Sequence, residues 1–263
     1  MTNKKMPVLF VSHGSPMLAL DNEKGEEFLK WGKNLPKPKA ILVFSAHWET
    51  DALAFGQTST HHNLVYDFSG FPQALYDVQY PAPGANDLTE LIAPLLNKIN
   101  QINVINRSLD HGVWVPFSHM WPKADIPVLQ MTMPFNFSNK ALFELGQQLR
   151  PLRQQGVLIS TNGTLTHNLQ EWNPRHSGIP EKWAQEFDEW VKEALITSDV
   201  DALLNWQQLA PQAKRNHPTA EHFRPLLIAA GAGLAVNGKN ETIRFPIEGF
   251  EYGIFSKRSV QFG

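Results

Sequence analysis

The sequence predicts an α/β fold in which a central, mixed but mostly parallel sheet is flanked by helices on both faces. Short apolar segments alternate with longer segments of helical periodicity, an order typical of layered α/β proteins. Several of the apolar segments are continuous, as expected for strands that are covered on both faces. The chain has 263 residues and no internal repeat or low-complexity linker, so we expect residues 1–263 to form a single domain.

Six segments are predicted as strands, and four others have the periodicity of helices. The predicted strands are residues 8–12, 40–46, 104–107, 126–132, 156–161 and 252–261. The predicted helices are residues 22–32, 85–98, 139–150 and 181–195. In the last helix, Trp183, Phe187 and Val191 recur at spacings of four and form one broad apolar face. This face would pack on the sheet or form a subunit interface, and the pattern leaves both open.

The composition excludes several classes of site. The chain has no cysteine, which excludes disulfides, cysteine nucleophiles and thiolate-bound zinc. The 23 basic and 25 acidic residues nearly balance without a basic run, so we do not expect nucleic-acid binding. The apolar run after the N-terminus is too short for a signal peptide, and the apolar stretch 225–236 is predicted as a buried helix too short to span a bilayer. We therefore expect a cytoplasmic protein with no membrane partner.

Histidine is the residue type most suited to metal chemistry in this chain, which has ten of them. His13 follows the strand 8–12, His47 follows the strand 40–46, and His167 comes shortly after the strand 156–161. In open α/β sheets, ligands bind beyond the carboxyl ends of the strands, so these residues can meet there. A lone histidine at such a place is an ordinary structural residue, but three at equivalent places indicate a site. Gly14 and Gly163 permit positive φ angles and the close approach of a ligand.

Two further histidines have informative neighbours. His222 precedes Pro225, and because proline is tolerated only in the first turn of a helix, His222 is predicted to lie at a loop-to-helix junction. His111 stands between Asp110 and Gly112. An acidic neighbour can orient an imidazole, although adjacency in sequence does not establish a contact.

Eight short motifs extend this pattern over nearly the whole chain. They are residues 13–16 (HGSP), 45–48 (SAHW), 66–72 (YDFSGFP), 80–84 (YPAPG), 110–114 (DHGVW), 124–128 (ADIPV), 166–169 (THNL) and 221–222 (EH). In this order they resemble the class III extradiol ring-cleavage dioxygenases, and most closely the 4,5-DOPA dioxygenase subgroup. The fold of that family is similar to the α/β fold predicted above.

The resemblance implies a non-haem Fe(II) enzyme that opens a catechol ring beside its two hydroxyls with O2. It assigns His13, His47 and His222 as metal ligands. It assigns His167 as the catalytic acid/base, close enough to the metal to act as a fourth ligand, and His111 as a second catalytic histidine of the pocket. Zn(II) suits the same ligands and is able to replace iron in crystals. A histidine with an ordinary pKa near ~6.5 would suit the transfer of a catechol proton.

The resemblance leaves the third ligand and the substrate open. Oxygenases commonly use two histidines and one carboxylate, whereas here His222 has Glu221 beside it. The aromatic side chains that follow would form the apolar wall of the substrate site or pack as an ordinary loop: Tyr66, Phe68, Phe71 and Tyr76. The expected partners are a small-molecule catechol, such as 3,4-dihydroxyphenylalanine, and O2. The oligomeric state is not predicted.

Two other functions compete with ring cleavage. A zinc-dependent hydrolase or amidase on the same α/β scaffold would use similar ligands, because a zinc-bound water is a ready nucleophile. A non-catalytic module that binds a metal or an aromatic ligand would show the same residues without turnover.

Overall fold

A computed structural model describes residues 5–96, 102–176, 178–234 and 241–263. The strands are β1 (Val8–Ser12), β2 (Ala40–Thr50), β3 (Ala54–Phe55), β4 (Asn103–Val104), β5 (Val128–Pro134), β6 (Val157–Gly163), β7 (Ile243–Ile247), β8 (Phe250–Glu251), β9 (Phe255–Ser256) and β10 (Ser259–Phe262). The α-helices are α1 (Asn22–Asn34), α2 (Gln73–Tyr76), α3 (Asn86–Ile92), α4 (His111–Met120), α5 (Asn139–Leu149), α6 (Lys182–Ile196), α7 (Val200–Leu204), α8 (Trp206–Leu209), α9 (Ala213–Asn216) and α10 (Arg224–Gly233). Short 3-10 helices span Pro16–Leu20, Ala93–Leu96, Arg150–Gln155 and Leu169–Glu171.

The main sheet is mixed, with a parallel centre, which confirms the predicted fold class. Its strand order is β4-β3-β5-β2-β6-β1-β10-β7. The four central strands β5, β2, β6 and β1 are parallel to their neighbours. Strands β10 and β7 extend one edge in antiparallel fashion, and β3 joins β5 antiparallel at the other. Strands β8 and β9 form a separate small sheet.

Helices cover both faces of this sheet, as the continuous apolar strands predict. Phe10 and Phe44 point into one core together with α5, α6 and α10. Their sequence neighbours Val11 and Val43 point into a second core together with α1 and α4. Because successive strand residues face opposite sides of a sheet, a strand buried on both faces must be apolar at every position.

The predicted strands are right at the centre of the sheet and wrong at two places towards its margins. Segment 104–107 contributes only Val104, since β4 is a two-residue, exposed strand. Segment 252–261 begins in a turn, where Tyr252 and Gly253 have φ angles of 49° and 67°, and then divides into β9 and β10. Strand β2 continues past the predicted residue 46 to Thr50, with an irregular register against β5.

Three of the predicted helices match α1, α5 and α6 closely. The predicted helix 85–98 stops earlier, because α3 passes into a 3-10 turn at Pro94; residues 97 and 98 lie outside the described residues. The buried helix predicted at 225–236 is α10, and its last two predicted residues are also outside that range. Helix α4 was not predicted, since it is buried on nearly all sides and has Pro116 inside it. None of the described helices is long and apolar enough to cross a membrane.

Candidate metal centre

The carboxyl ends of the central parallel strands bring distant histidines together. His13 directly follows β1, His47 lies within β2, and His167 comes four residues after β6. Strand β6 is the neighbour of both β1 and β2, and Ser12 pairs with Gly163 at its carboxyl end. The sheet register alone therefore places three of the predicted residues at one edge.

His13, His47 and a further histidine, His222, have a geometry that fits a shared metal ion. One nitrogen from each of His13, His47 and His222 lies within 4.8 Å of the others. The two Nε2 atoms of His13 and His47 are 3.2 Å apart, and two ligands about 2.1 Å from one ion would be about 3.0–3.4 Å apart. The Nε2 of His222 is buried and has no hydrogen-bond partner among the described residues. A buried nitrogen in that state is costly unless a further group, such as a cation, binds to its lone pair.

In the group with His13 and His47 the candidate ligand atom comes from His222, whereas Glu221 groups with His167 and His222. The Nδ1 of His222 lies 3.0 Å from the Oε1 of Glu221. The carboxylate thus contacts the Nδ1 side of the ring and leaves Nε2 available to a metal. Metal-binding histidines usually have such a carboxylate or carbonyl on the nitrogen that does not bind the metal. His222 stands just before α10, with Pro225 in the first turn, so the predicted loop-to-helix junction is confirmed.

Glycine permits the close approach of His222 to the end of β6. A Cβ on Gly163 would lie 2.2 Å from the carbonyl oxygen of His222, which accepts a hydrogen bond from the backbone N–H of Thr164. Gly14 has the predicted positive φ of 67°, whereas Gly163 does not. Of the two expectations for Gly163, a positive φ and a close approach of another group, only the close approach therefore applies.

Burial keeps these imidazoles neutral. Burial, followed by repulsion from neighbouring histidines, places the pKa values of His13 and His222 well below 6.5. Burial, followed by repulsion from His111, lowers the pKa of His47 to about 4. A neutral imidazole is the form that binds a metal, because the protonated ring has no free lone pair.

His167 lies directly against His222. The two rings are stacked with centroids 3.5 Å apart and an angle of 10° between their planes. The backbone N–H of His167 donates to the carbonyl of Asn216, while nothing in the described ranges hydrogen-bonds its ring. Burial, followed by repulsion from His47 and His111, lowers the pKa of His167 to about 4. The sequence-based expectation of a pKa near ~6.5 is therefore wrong for the metal-free site, because it ignored burial.

The acid that holds His111 is Asp67, a residue that our sequence analysis did not single out. His111 begins α4, and the Oδ1 of Asp67 accepts hydrogen bonds from its ring Nδ1–H and backbone N–H, at 2.7 and 3.2 Å. The Oδ2 of Asp67 is 3.5 Å from the Nδ1 of His47. Burial raises the pKa of Asp67, but the hydrogen bonds from His111 and the electrostatic effect of His111 and His47 outweigh burial and lower this pKa. Its one sequence signal is its place in the aromatic motif 66–72.

Asp110, the sequence neighbour of His111, belongs to a different network. Its fully buried carboxylate accepts hydrogen bonds from Ser45 Oγ at 2.7 Å and Gln130 Nε2 at 2.5 Å. Arg107 donates to Asp110 and also to the backbone carbonyl of His47. A buried carboxylate is tolerated when it is paired and hydrogen-bonded in this way. The network therefore supports the end of β2 that carries His47.

The predicted aromatic residues cluster beside His111. The Phe68 ring lies 5.6 Å from the His111 ring. It also lies between 5.3 and 6.1 Å from the three other predicted rings, those of Tyr66, Phe71 and Tyr76. All four are only partly buried, so the cluster presents apolar surface next to the histidines.

Comparisons with known proteins agree with this geometry. Residues 7–250 match the model of the family described as the catalytic LigB subunit of aromatic ring-opening dioxygenase. The chain is 40% identical over 260 residues to a 4,5-DOPA dioxygenase extradiol from Beta vulgaris, which covers 96% of this chain and 95% of that protein. It is 38% identical to a 4,5-DOPA dioxygenase extradiol from Escherichia coli strain K12, covering 100% of this chain and 97% of the relative.

A solved structure shows the same fold. The crystal structure of an uncharacterized protein from Escherichia coli K12 superposes with a TM-score of 0.82 at 34% identity, covering 98% of this chain and 100% of that one. Together with the sequence matches, it shows that this chain belongs to the LigB family of aromatic ring-opening dioxygenases and is a ring-cleavage dioxygenase.

Proposed function

We propose that this chain is an Fe(II)-dependent extradiol dioxygenase that opens the ring of a substituted catechol, such as 3,4-dihydroxyphenylalanine, with O2. The observation that carries the proposal is the cluster of His13, His47 and His222 around the buried, unpaired Nε2 of His222. The names of the relatives from Beta vulgaris and Escherichia coli, both 4,5-DOPA dioxygenases, support the substrate class.

His13, His47 and His222 would hold the metal, with contacts that leave Nε2 as the ligand atom of each. The Nδ1 of His13 donates to the Gly14 carbonyl at 2.8 Å, and the Nδ1 of His222 is held by Glu221. Three protein ligands leave coordination positions for two substrates. Bound Fe(II) supplies Lewis acidity, which makes catechol hydroxyls easier to deprotonate, and the redox chemistry that O2 requires.

Two histidines would handle the substrate protons. His167 is neutral and its ring has no hydrogen-bond partner in the part of the chain described, so it can accept a proton from one catechol hydroxyl and return it to the ring-opened product. The Nδ1–H of His111 donates a hydrogen bond to the carboxylate of Asp67. The Nε2 of His111 therefore remains as an acceptor for the second hydroxyl.

The aromatic cluster would hold the catechol ring. Tyr66, Phe68, Phe71 and Tyr76 form a partly exposed apolar wall whose central ring, Phe68, contacts His111. Aromatic side chains favour offset or edge-on packing with another ring and exclude water from it. The wall would thus orient the substrate while its hydroxyls face the histidines.

The test is an oxygen-electrode screen of substituted catechols with protein reconstituted with Fe(II) or with Zn(II). We expect consumption of one O2 per catechol, and a yellow ring-opened product, with Fe(II) alone. The absence of O2 uptake with every catechol would favour the binding-module alternative. Hydrolytic activity that Zn(II) restores and Fe(II) does not would favour the hydrolase, which the family relationship makes the weaker candidate.

The ligand assignment has its own test. His13→Ala is expected to lose stoichiometric metal binding, whereas the matched control His62→Ala removes an exposed loop histidine and should bind metal normally. Metal content after gel filtration measures both. Normal iron binding by His13→Ala would show that the assignment is wrong.

A further inference from the structure

Asp67 is a carboxylate within an aromatic segment, yet its side chain is only 22% exposed. Its Oδ1 accepts two hydrogen bonds from the same residue, the backbone N–H and the ring Nδ1–H of His111. Its Oδ2 faces the Nδ1 of His47 at 3.5 Å. One side chain therefore contacts both a proposed metal ligand and the second pocket histidine.

The contact with His111 determines which of its ring nitrogens carries the proton. A neutral imidazole has one N–H, and an ionised carboxylate can only accept a hydrogen bond. A carboxylate oxygen 2.7 Å from Nδ1 therefore keeps the proton on Nδ1 and leaves Nε2 as an acceptor. Without this carboxylate the two tautomers would be closer in energy, and the ring would lose the hydrogen bond that fixes its direction.

The start of helix α4 holds Asp67 in this position. The backbone N–H of His111 is one of the donors that an α-helix leaves unpaired in its first turn, where the helix dipole also favours a negative charge. Asp110 occupies the N-cap position, but its side chain makes no capping hydrogen bond, because it is used by Ser45 and Gln130. The carboxylate of Asp67 satisfies one of these donors, the backbone N–H of the first residue of α4.

Asp67 also joins the aromatic wall to the histidines. Its neighbours Tyr66 and Phe68 both belong to the wall, and the hydroxyl of Tyr66 donates to the carbonyl of Val78 within the same segment. The hydrogen bonds that His111 donates to Asp67 link this segment to the first turn of α4. A change at Asp67 would therefore alter the histidine and the wall together.

We infer that Asp67 is a positioning residue for ring cleavage, which fixes the tautomer and direction of His111 and ties the aromatic wall to the metal centre. The inference rests on the proposed function, in which the Nε2 of His111 faces the substrate. A purely structural role as a helix cap would predict something different: lower stability, with normal turnover wherever the protein is folded.

Three variants separate these roles. Asp67→Ala removes both hydrogen bonds. Asp67→Asn keeps an oxygen in the same place, because the backbone N–H of His111 continues to hold it there. Asp77→Ala is the matched control, since it removes an exposed carboxylate from the same segment whose side-chain partner is Gln73.

We expect Asp67→Ala to lower kcat by about 10–100-fold, the range typical for residues that orient catalytic or metal-binding histidines. KM should change by less than about threefold, and the iron content should stay at the wild-type level. Asp67→Asn should restore kcat to within about threefold of the wild type, and Asp77→Ala should match the wild type. A wild-type kcat in Asp67→Ala, or equal losses in Asp67→Ala and Asp67→Asn, would overturn the inference.

A spectroscopic measurement tests the same inference without turnover. The ¹⁵N chemical shifts of the imidazoles in the full-length chain, without added metal, should show His111 protonated on Nδ1 in the wild type and in Asp67→Asn. They should show a mixture of tautomers in Asp67→Ala. A wild-type His111 protonated on Nε2 would overturn the inference even if Asp67→Ala failed to fold. If the wild type opened no catechol, the proposed function would fail, and these spectra would still decide the role of Asp67.

Discussion

Replacement of Gly112 by alanine should move His47, one of the proposed metal ligands. Gly112 is the second residue of α4 and does not have a positive φ, so its backbone tolerates alanine. A Cβ there would lie 2.7 Å from Ser45 Oγ and 2.8 Å from His47 Cδ2, whereas ordinary contacts begin at 3.4 Å. The His47 ring must therefore withdraw by the difference between 2.8 and 3.4 Å, about 0.6 Å.

The effect on the metal site should exceed the effect on stability. Overpacking of a core typically costs about 1–3 kcal/mol, but alanine in place of glycine within a helix gains up to about 1 kcal/mol. We expect a net loss of about 0–2 kcal/mol in the free energy of unfolding. Metal–ligand distances tolerate only about 0.2 Å, so a ring displaced three times as far should weaken metal binding by about 10–100-fold.

The assay for Gly112→Ala combines urea unfolding with a metal titration against a chromophoric chelator. Gly233→Ala is the control, because its Cβ would lie 2.3 Å from the Phe262 ring, within a core and away from the histidines. Wild-type metal affinity in Gly112→Ala would refute the reasoning that the added Cβ displaces His47 and thereby weakens metal binding. Equal losses of affinity in both variants would show that general packing damage is responsible.

Three further predictions concern single residues and pH. His167→Ala should retain metal and lose about 10²–10⁴-fold in kcat, as measured by metal content and oxygen uptake; loss of the metal would instead make His167 a ligand. Arg258→Ala removes the charged partner of the buried Asp188, which then keeps the hydroxyl of Ser256 as a donor. This change should cost about 3–5 kcal/mol in urea unfolding; a loss under about 1 kcal/mol would contradict this. Burial lowers the pKa values of His47 and His217 to about 4 and about 3 in the folded state. As the pH falls from 6.5 towards 4, the unfolded chain binds protons that the folded chain does not. The metal-free protein should therefore lose about 1.4 kcal/mol of stability per pH unit for each such histidine, and this contribution should be constant above pH ~7.5; a flat stability profile between pH 6 and 4 in urea unfolding would refute it.

The parts of the fold that depend on local signals could be predicted from the sequence. Residues 8–12 match β1 without error, because burial on both faces makes the whole strand apolar. Pro225 correctly located His222 at the start of α10, because proline restricts the backbone of its immediate neighbours. The strand predicted at 252–261 is right only in part, because it contains β9 and most of β10 but begins in a turn. Tyr252 in this turn is a non-glycine residue with positive φ, for which the sequence has no reliable signal.

The contacts of the site show where local signals stop. The motif DHG suggests Asp110 as the acid beside His111, but the structure gives that contact to Asp67. Asp110 instead faces Ser45 and Gln130 across the sheet. The choice between two carboxylates depends on how a loop packs against a helix, and a sequence pattern within a few residues does not contain that information.

The sequence by itself determined the fold class, the strands of the parallel centre and the histidines that follow them, since these depend on residues close together in the chain. The tertiary structure decided which nitrogens meet. His13 and His222 approach each other because β1, β6 and α10 pack side by side. Glu221 contacts the Nδ1 of His222, and the buried Nε2 is therefore the ring nitrogen left without a hydrogen-bond partner among the described residues. Side-chain direction within a site depends on long-range packing and on the satisfaction of buried polar atoms, and both exist only once the chain has folded.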